Sequence, residues 1–400
     1  MSISNAWQKR LRRYCGGLVL AMTALSACAV ETTLTAEYRG GGSGRFENTT
    51  PPASFCLIWA RLCRERMTVD LPITYAKRTV QSAPDPRDQF YVKLPAARVV
   101  DVYHEQTGES RRMSFQFNSV AQRVVSTIYN RNPVNRTTVD GPCRKGAGLG
   151  WQTLKTYFYV WYLNDPLSPG GCWSTHYSPT PGTVENVQVE VTGVTYTLDI
   201  PPPYRLRAGI YRGSVTYSIG PGGDFDFGND VSALSGDTLT INFELDVQHA
   251  FLFEFAPGSE KAVLEPRNGW SAWLAGGRAP GRVYRDLPFR LWSTGPFKVY
   301  KLCQYQADVR CAIVNDASHQ VPVEVALSLP PGIQYQSRPV ERLVLPTGPA
   351  AALQLDAAQP TLNRPGHLHF EVAKDDVSTM LAHPGSTYNG QVTVVFDAEL

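Results

Sequence analysis

His367 and His369 form the first pair of residues whose spacing suggests chemistry. They lie two apart in a segment that alternates as a strand, so their side chains share a face that could bind one metal ion. The segment Asp224-Phe-Asp-Phe-Gly-Asn-Asp230 offers three carboxylates, but it lacks the spacing and terminal glutamate of an EF-hand. A solvated strand and an ordinary turn explain both patterns more simply. We therefore expect no metal site and no cofactor.

The aromatic run Tyr157-Phe-Tyr-Val-Trp-Tyr162 is a second candidate for binding. Aromatic rings offer apolar faces to the C–H edges of sugars and polar tips to their hydroxyls. In a strand, alternate members face opposite sides, and one set must fill the core. The pattern does not tell which set faces outward. Tyr159 and Trp161, together with the nearby Trp173, are the predicted ligand contacts.

Basic residues cluster in the N-terminal half of the chain. Guanidinium forks match sulfate and carboxylate groups, so a sulfated or sialylated glycan is a reasonable ligand. Scattered cations on a solvated surface are the simpler alternative. The clusters are Arg61, Arg64 and Arg66, then Arg111 and Arg112, then Arg131, Arg136, Arg144 and Lys145. Among them, the predicted ligand-binding residues are Arg111, Arg112, Arg144 and Lys145.

Common catalytic motifs are missing from the sequence. It contains no nucleophile elbow, Walker A loop, H-E-x-x-H pair or dinucleotide-binding fingerprint. An exported carbohydrate-active enzyme would need two carboxylates across an aromatic cleft, and the nearest candidates are Asp165 and Glu185. Nothing sets these two apart from surface acids, so we expect a protein without enzymatic activity.

The first 29 residues have the features of an export signal. Four cations, all between Lys9 and Arg13, precede a short apolar stretch and the small residues Ala27-Cys-Ala29. Cleavage after Ala29 is the expectation, with acylation at Cys28 as the alternative. Without this segment 34 Lys and Arg oppose 35 Asp and Glu, so the basic pI gives no argument for nucleic-acid binding.

Six cysteines remain after the signal, and an even number in an exported chain indicates disulfides. Fifteen pairings are open from the sequence alone. The choice that joins near neighbours is Cys56–Cys63, Cys143–Cys172 and Cys303–Cys311.

Composition and patterning predict an all-β protein with two domains. The 19 Tyr, 16 Phe, 33 Gly and 30 Pro suit short strands joined by turns. Ile200 and the three prolines that follow suggest a stiff linker at 201–204 between domains at 30–200 and 205–400. A helix at 119–128 is suggested by the spacing of Val120, Val124 and Ile128.

In the last strand Val392, Val394 and Phe396 share a face. Only four residues follow Phe396, so this strand is expected to lack a neighbour on one side.

Four segments of the second half together resemble the pilin domain of chaperone–usher fimbriae. They are Gly213-Ser-Val-Thr-Tyr-Ser-Ile219, the pair Cys303 and Cys311, Val321-Pro-Val-Glu-Val-Ala-Leu327, and Tyr388-Asn-Gly-Gln-Val-Thr-Val-Val-Phe396. The whole chain is similar to a two-domain tip adhesin. The resemblance implies an N-terminal, β-sandwich-like receptor-binding domain and a C-terminal immunoglobulin-like domain that lacks its final strand. The family often has an aromatic penultimate residue, and this chain departs from that with Glu399-Leu400.

The resemblance also implies partners and a location. A periplasmic chaperone, an outer-membrane usher and a neighbouring subunit would assemble the protein, and Val392, Val394 and Phe396 would line the groove that receives the donated strand. The expected function is attachment to a host glycan or glycoprotein from the fimbrial tip, with a sulfated polysaccharide as the first ligand to test. The alternative is a structural adaptor or initiator subunit without a receptor.

Overall fold

The computed structural model describes residues 29–41, 43–128, 132–135, 137–150, 155–176, 178–259 and 261–398. These residues are mainly β-strand, with three short α-helices and four 3-10 turns. Their buried side chains form two main hydrophobic cores, one between Leu34 and Val247 and one between Val283 and Val377. The predicted all-β fold is therefore confirmed. The expected export signal lies almost wholly outside the described residues, as do Arg131, Arg136, Glu399 and Leu400.

The first core is enclosed by fourteen strands. They are β1 Ala29–Arg39, β2 Glu47–Asn48, β3 Met67–Leu71, β4 Tyr75–Val80, β5 Phe90–Val92, β6 Arg98–His104, β7 Ser110–Ser126, β8 Cys143–Gly150, β9 Thr156–Leu163, β10 Cys172–Ser174, β11 Val184–Asp199, β12 Gly209–Ser218, β13 Val231–Ser232 and β14 Thr238–Gln248. Helix α1 spans Ala60–Cys63, and 3-10 turns lie at Ser54–Leu57, Pro86–Asp88 and Pro203–Arg205.

Most of these strands belong to one curled sheet. Its main path runs β13-β4-β11-β7-β6-β12-β14-β1-β2, with β3 added to β11 and the β8–β9 pair added to β7. β1 and β14 pair in parallel, and the other pairs in the sheet are antiparallel. The sheet curls, so that strands from distant positions in its order meet on the inside. The rings of Phe115 on β7 and Phe243 on β14, for example, lie 5.3 Å apart. One continuous core therefore fills the inside of the sheet.

The outer face of β7, β9 and β11 is covered as well. A small cluster of Phe55, Phe158, Val160 and Tyr162 packs there under the segment that carries the Cys56–Cys63 disulfide. The alternate residues of β9, Tyr159 and Trp161, belong to the inner core. Strand β9 is consequently apolar on both sides, as expected for a strand buried on both faces.

The predicted domain boundary at 201–204 differs from the structure. Strands β12 and β14, which follow the prolines, pair with β6 and β1 and continue the first sheet. Leu206, Tyr211 and Tyr217 are buried in the first core. The chain passes to the second core only at His249 and Ala250, between β14 and the strand that begins at Phe251. The prolines mark a stiff connection within one domain. Proline rigidity alone does not tell a linker between domains from a loop within a domain, so the sequence could not decide between them. Part of the pilin-like pattern, at 213–219, thus lies in the first domain, in β12 and the residue that follows it.

The helix suggested at 119–128 is also absent. Residues Ser110–Ser126 form one continuous strand that pairs with β11 on one side and with β6 and β9 on the other. Val120 and Val124 face the inner core. Valine at a spacing of four satisfies both a helix and a strand, and its β-branched side chain favours the strand.

The second core lies in a sandwich of two sheets. Its strands are β15 Phe251–Phe255, β16 Val283–Ser293, β17 Phe297–Cys303, β18 Tyr305–Ala307, β19 Arg310–Val314, β20 Gln320–Ser328, β21 Ile333–Tyr335, β22 Arg338–Pro339, β23 Leu343–Val344, β24 Leu353–Ala357, β25 Thr361–Val372 and β26 Val392–Ala398. One sheet has the order β15-β16-β25-β20-β19-β18, with β23 added to β20, and the other has the order β22-β21-β24-β17-β26. Helices α2, Ser271–Leu274, and α3, Lys374–Leu381, and a 3-10 turn at Pro349–Ala351 complete this domain.

The three near-neighbour disulfides are confirmed. Cys56–Cys63, Cys143–Cys172 and Cys303–Cys311 have Cα–Cα separations of 5.7, 5.8 and 5.2 Å, within the range of such bridges. Each bridge lies inside one domain. Among the described residues, no helix combines the length and the apolar character that a membrane crossing requires.

Candidate functional site

The final strand, β26, lies at an open edge of its sheet. It pairs along its whole length with β17, and no other strand of the described chain pairs with its far edge. Phe396 is opposite Val299, Val394 is opposite Lys301, and Val392 is opposite Cys303. Since Val299 and Lys301 are buried, the side chains of Val392, Val394 and Phe396 point toward the core, as the alternation predicts.

Strand β15 forms the corresponding edge of the opposite sheet. It pairs with β16 and has no second partner strand in the described part of the chain. The ring of Phe253 on β15 lies 4.6 Å from the ring of Phe396 on β26, and the ring of Phe251 lies 6.0 Å from it. The two open edges therefore lie on the same side of the sandwich. We call the space between β15 and β26 the edge groove.

The apolar side chains along the edge groove are incompletely buried. Phe251, Phe253, Val394 and Phe396 pack against the core but remain half-buried, and Phe255 is 42% exposed. Phe289 and Phe297, which lie deeper in the same sandwich, are 3% and 2% exposed. Burying a phenylalanine side chain fully contributes about 1.5–3 kcal/mol, so covering this groove would stabilise the domain by several kcal/mol.

Strand β26 is fixed in place by contacts just before it. Asn389 exchanges two backbone hydrogen bonds with Val314. The hydroxyl of Tyr388 lies 2.8 Å from Nδ1 of His319 and accepts a hydrogen bond from Nδ2 of Asn315 at 3.3 Å. The backbone of β26 is therefore held on its β17 side, and its other edge leaves N–H and C=O groups that can pair with an added strand.

The aromatic ligand contacts predicted on β9 are wrong. Tyr159 and Trp161 are each 1% exposed, and the ring of Phe90 lies 5.7 Å from Tyr159 and 6.1 Å from Trp161. The Tyr159 hydroxyl donates to Oε1 of Gln122, also in the interior. These side chains are structural. Trp173, on β10, is half-buried and covers Gly141.

The predicted basic residues do not form one site. Arg111 is bonded to Glu109, and Arg112 is exposed with its Nε 3.8 Å from Asp101. Both lie at the start of β7, whereas Arg144 is opposite Tyr162, which is itself opposite Ser119. Eight residues of strand separate Arg111 from Ser119, or about 26 Å. Lys145, next to Arg144 on β8, points to the opposite side of the sheet.

A different combination of arginines meets on the outer face of the first sheet. The guanidinium carbon of Arg66 lies 5.0 Å from the centre of the Tyr162 ring, and that of Arg144 lies 4.7 Å from it. Arg66 belongs to one of the basic clusters in the sequence but is not among the predicted ligand-binding residues. The two arginines are 78 positions apart, and the sequence carries no signal that joins them.

The acidic loop at 224–230 has its carboxylates occupied. Asp224 pairs with Arg98 at 2.7 Å, Asp226 with Arg87, and Asp230 with Arg78 at 3.0 Å. Among the described residues there is no group of three or more side chains that could hold a metal ion.

A lysine adds a further positive charge beside that loop. The buried ammonium of Lys77 donates to the carbonyl oxygens of Asn229 and Arg87 at 2.7 and 3.0 Å. Burial lowers the pKa of Lys77 to about 8, although the nearby carboxylates of Asp230, Asp88 and Asp226 act in the opposite direction. This loop is therefore a structural ion cluster.

The histidine pair on β25 is likewise engaged in the fold. Nδ1 of His369 lies 2.6 Å from Oδ1 of Asp286, and Nε2 lies 2.8 Å from the hydroxyl of Ser328. Both ring nitrogens of His369 have protein partners, and His367 is exposed beside it. The pair does not present two free ligands to one metal ion.

Comparisons with known proteins add little to this geometry. No protein-family model matches the chain, and no curated protein matches it. A search of solved structures finds the chaperone–tip adhesion subunit pre-assembly complex, CsuC-CsuE, from the archaic chaperone-usher Csu pili of Acinetobacter baumannii. It is 10% identical, with 93% of this chain and 99% of that chain covered, at a TM-score of 0.22. A TM-score of this size carries no argument about fold or function.

Proposed function

We propose that the chain is a tip subunit of a chaperone–usher fimbria, exported through the periplasm to the cell surface. The observation that carries the proposal is the edge groove, in which two open strand edges face each other over half-buried phenylalanine side chains. The pilin-like pattern of the C-terminal segments supports the same assignment. No enzymatic activity is part of the proposal.

In this proposal the edge groove is completed by a strand from another chain. A periplasmic chaperone fills it first, and the neighbouring subunit replaces the chaperone at the outer-membrane usher. The donated backbone pairs with the free edge of β26, while alternate apolar side chains cover Val392, Val394 and Phe396. The first domain takes the position of the receptor-binding domain and attaches the fimbria to a host glycan or glycoprotein.

Co-expression of the full chain with and without its chaperone tests the groove. The chaperone is expected to keep the protein soluble and to purify with it. Phe396→Asp places a charge on the inward face and is expected to lower the amount of co-purified complex at least tenfold. Thr393→Asp is the matched control, since Thr393 is an exposed residue of the same strand that points away from the core.

Hydrogen exchange tests whether the chaperone docks along β26. In the wild-type complex, the β26 amides that do not bond to β17 are expected to gain protection when the chaperone is bound. A full chain that stays soluble and monomeric without any chaperone, and whose β26 amides exchange equally in both states, would refute the proposal.

The adaptor alternative differs in what the first domain does. An adaptor would incorporate into fimbriae normally and would confer no attachment of its own. Fimbriated cells that carry surface substitutions in the first domain, with unchanged fimbria number, distinguish the two. Adherence that is lost under those conditions supports the adhesin, and adherence that never depended on this subunit supports the adaptor.

A further inference from the structure

Arg66, Arg144 and Tyr162 form the wall of a cleft on the outer face of the first domain. The cleft has a volume of about 480 Å³ and is also bordered by Asn118 and Thr197. The guanidinium of Arg66 donates to the Tyr162 hydroxyl at 2.5 Å. Since both guanidinium groups contact the same ring, they lie within about 10 Å of each other, close enough to act on one extended anion.

Two disulfides place the arginines. Cys63, bonded to Cys56, accepts a backbone hydrogen bond from Arg66 at 3.2 Å, and β3 begins at the next residue. Arg144 directly follows Cys143, which is bonded to Cys172. The side chains of both arginines therefore extend from backbone that is cross-linked by a disulfide. Such a site needs little ordering when it binds a ligand.

Gly146 leaves room for the ring of Tyr162 between the two arginines. A β-carbon on Gly146 would lie 2.6 Å from Cε2 of Tyr162, so glycine lets β8 approach the ring closely. Tyr162 is 8% exposed and belongs to the outer cluster with Phe158 and Val160. The ring is consequently a fixed support between the two guanidinium groups.

The guanidinium groups of Arg66 and Arg144 form no ion pair within the described part of the chain. Among the described residues, neither Arg66 nor Arg144 has a carboxylate within 4.0 Å, and Glu65, which also borders the cleft, pairs with neither. The half-buried Arg98 and Arg123 of the same domain are, by contrast, paired with acids. Two unpaired guanidinium groups on one aromatic ring are the arrangement expected of a binding site for an oxyanion.

We infer that this cleft binds a sulfate-bearing saccharide, with the sulfate held by Arg66 and Arg144. The uncharged side of the cleft favours a saccharide over a free ion. Nδ2 of Asn118 donates to the hydroxyl of Thr197 at 2.8 Å, which gives a polar surface without charge, and Pro166 and Leu198 add apolar contacts. The volume suits one or two sugar rings. The use of this cleft in attachment rests on the proposed function, whereas the binding itself does not.

Calorimetric titration of the full chain, free or with its chaperone bound, tests the inference. The probes are a heparin-type sulfated disaccharide, its desulfated counterpart and sodium sulfate. The sulfated disaccharide is expected to bind more tightly than either of the others, and binding should weaken as salt rises from about 50 to 500 mM. Arg66→Met and Arg144→Met are each expected to weaken binding about tenfold or more.

Arg64→Met is the matched control, because Arg64 is an exposed arginine in the same turn and does not border the cleft. It removes the same charge and is expected to change the dissociation constant less than twofold. Equal losses for Arg64→Met and Arg66→Met would show only general attraction and would overturn the site. Equal binding of the desulfated disaccharide would overturn the role of sulfate, and equal binding of sodium sulfate would overturn the role of the sugar.

Arg144→Lys adds a test of geometry, since it keeps the charge but loses the planar fork. Its affinity for the sulfated disaccharide is expected to lie between those of the wild type and Arg144→Met. An affinity as low as that of Arg144→Met would also agree with the inference. Wild-type binding by both Arg144→Lys and Arg144→Met would refute it. Because titration does not depend on assembly, a failure here leaves the edge groove untouched, and a failure of chaperone docking leaves this measurement available.

Discussion

His249 donates a hydrogen bond from Nε2 to the carbonyl oxygen of Leu206, 2.8 Å away, at the point where the chain leaves the first core. The imidazole is 9% exposed, and its ring lies 5.8 Å from that of Tyr38 in an edge-to-face contact. The next residue, Ala250, donates its N–H to the Thr294 hydroxyl at 2.8 Å. The junction between the two domains is thus a packed and hydrogen-bonded contact.

The stability of this junction is expected to fall at mildly acid pH. Burial lowers the pKa of His249 below its ordinary value of 6.5, despite opposing hydrogen bonds. Below about pH 6.5 the unfolded chain therefore binds a proton at His249 that the folded chain does not bind. The folded state consequently loses stability as the pH falls from that value toward the folded pKa. Melting temperatures measured between pH 8 and 5 should show this decline.

His249→Gln should flatten that dependence, because glutamine keeps a donor for Leu206 but does not titrate. His367→Gln is the control, since His367 is exposed, and it should retain the wild-type slope. Identical slopes in the wild type and His249→Gln would show that other groups cause the acid sensitivity.

The close packing at the junction gives a second prediction. A β-carbon on the buried Gly295 would lie 2.2 Å from Cγ of His249. Gly295→Ala should therefore destabilise the protein by about 1–3 kcal/mol, measured by urea unfolding. Gly281→Ala is the matched control, because no atom lies within 4 Å of its added β-carbon, and its effect should stay within about 0.5 kcal/mol. Equal stability of the two variants would mean that the domains are not in firm contact.

Lys77 is predicted to be essential for the loop cluster at 85–88 and 226–230. Lys77→Met leaves the carbonyl oxygens of Arg87 and Asn229 without their donor and removes a positive charge near Asp230 and Asp88. The expected loss is about 3 kcal/mol in the free energy of unfolding. Lys145→Met, at an exposed edge-strand lysine, should be nearly neutral. An unchanged free energy of unfolding in Lys77→Met would contradict the structural role of the Lys77 ammonium group.

Local patterns in the sequence predicted the elements that depend on near neighbours. The alternation of Val392, Val394 and Phe396 gives the correct inward face, and the near-neighbour choice among the fifteen cysteine pairings matches the disulfides. The orientation of β9 could not be predicted in this way. Tyr159 faces the inner core, whereas Tyr162 on the opposite face is buried because a second layer, from the distant segment around Phe55, covers the outer face of the sheet. The Arg66–Tyr162–Arg144 cluster is hidden from the sequence for the same reason.

Limited proteolysis of the full chain should locate the flexible part of the molecule and check the domain boundary. The segment between β15 and β16 is long and mostly exposed, and it offers trypsin the sites Lys261, Arg267 and Arg278. The connection after the prolines is held differently, because Pro203 and Leu206 are buried and Leu206 accepts the bond from His249. Cleavage requires local unfolding of the cleaved segment, which costs little where few side chains are buried. The first fragments identified by mass spectrometry should therefore end between 261 and 282. First cuts at Arg205 or Arg207 would instead place the boundary at the prolines and contradict the continuous first sheet.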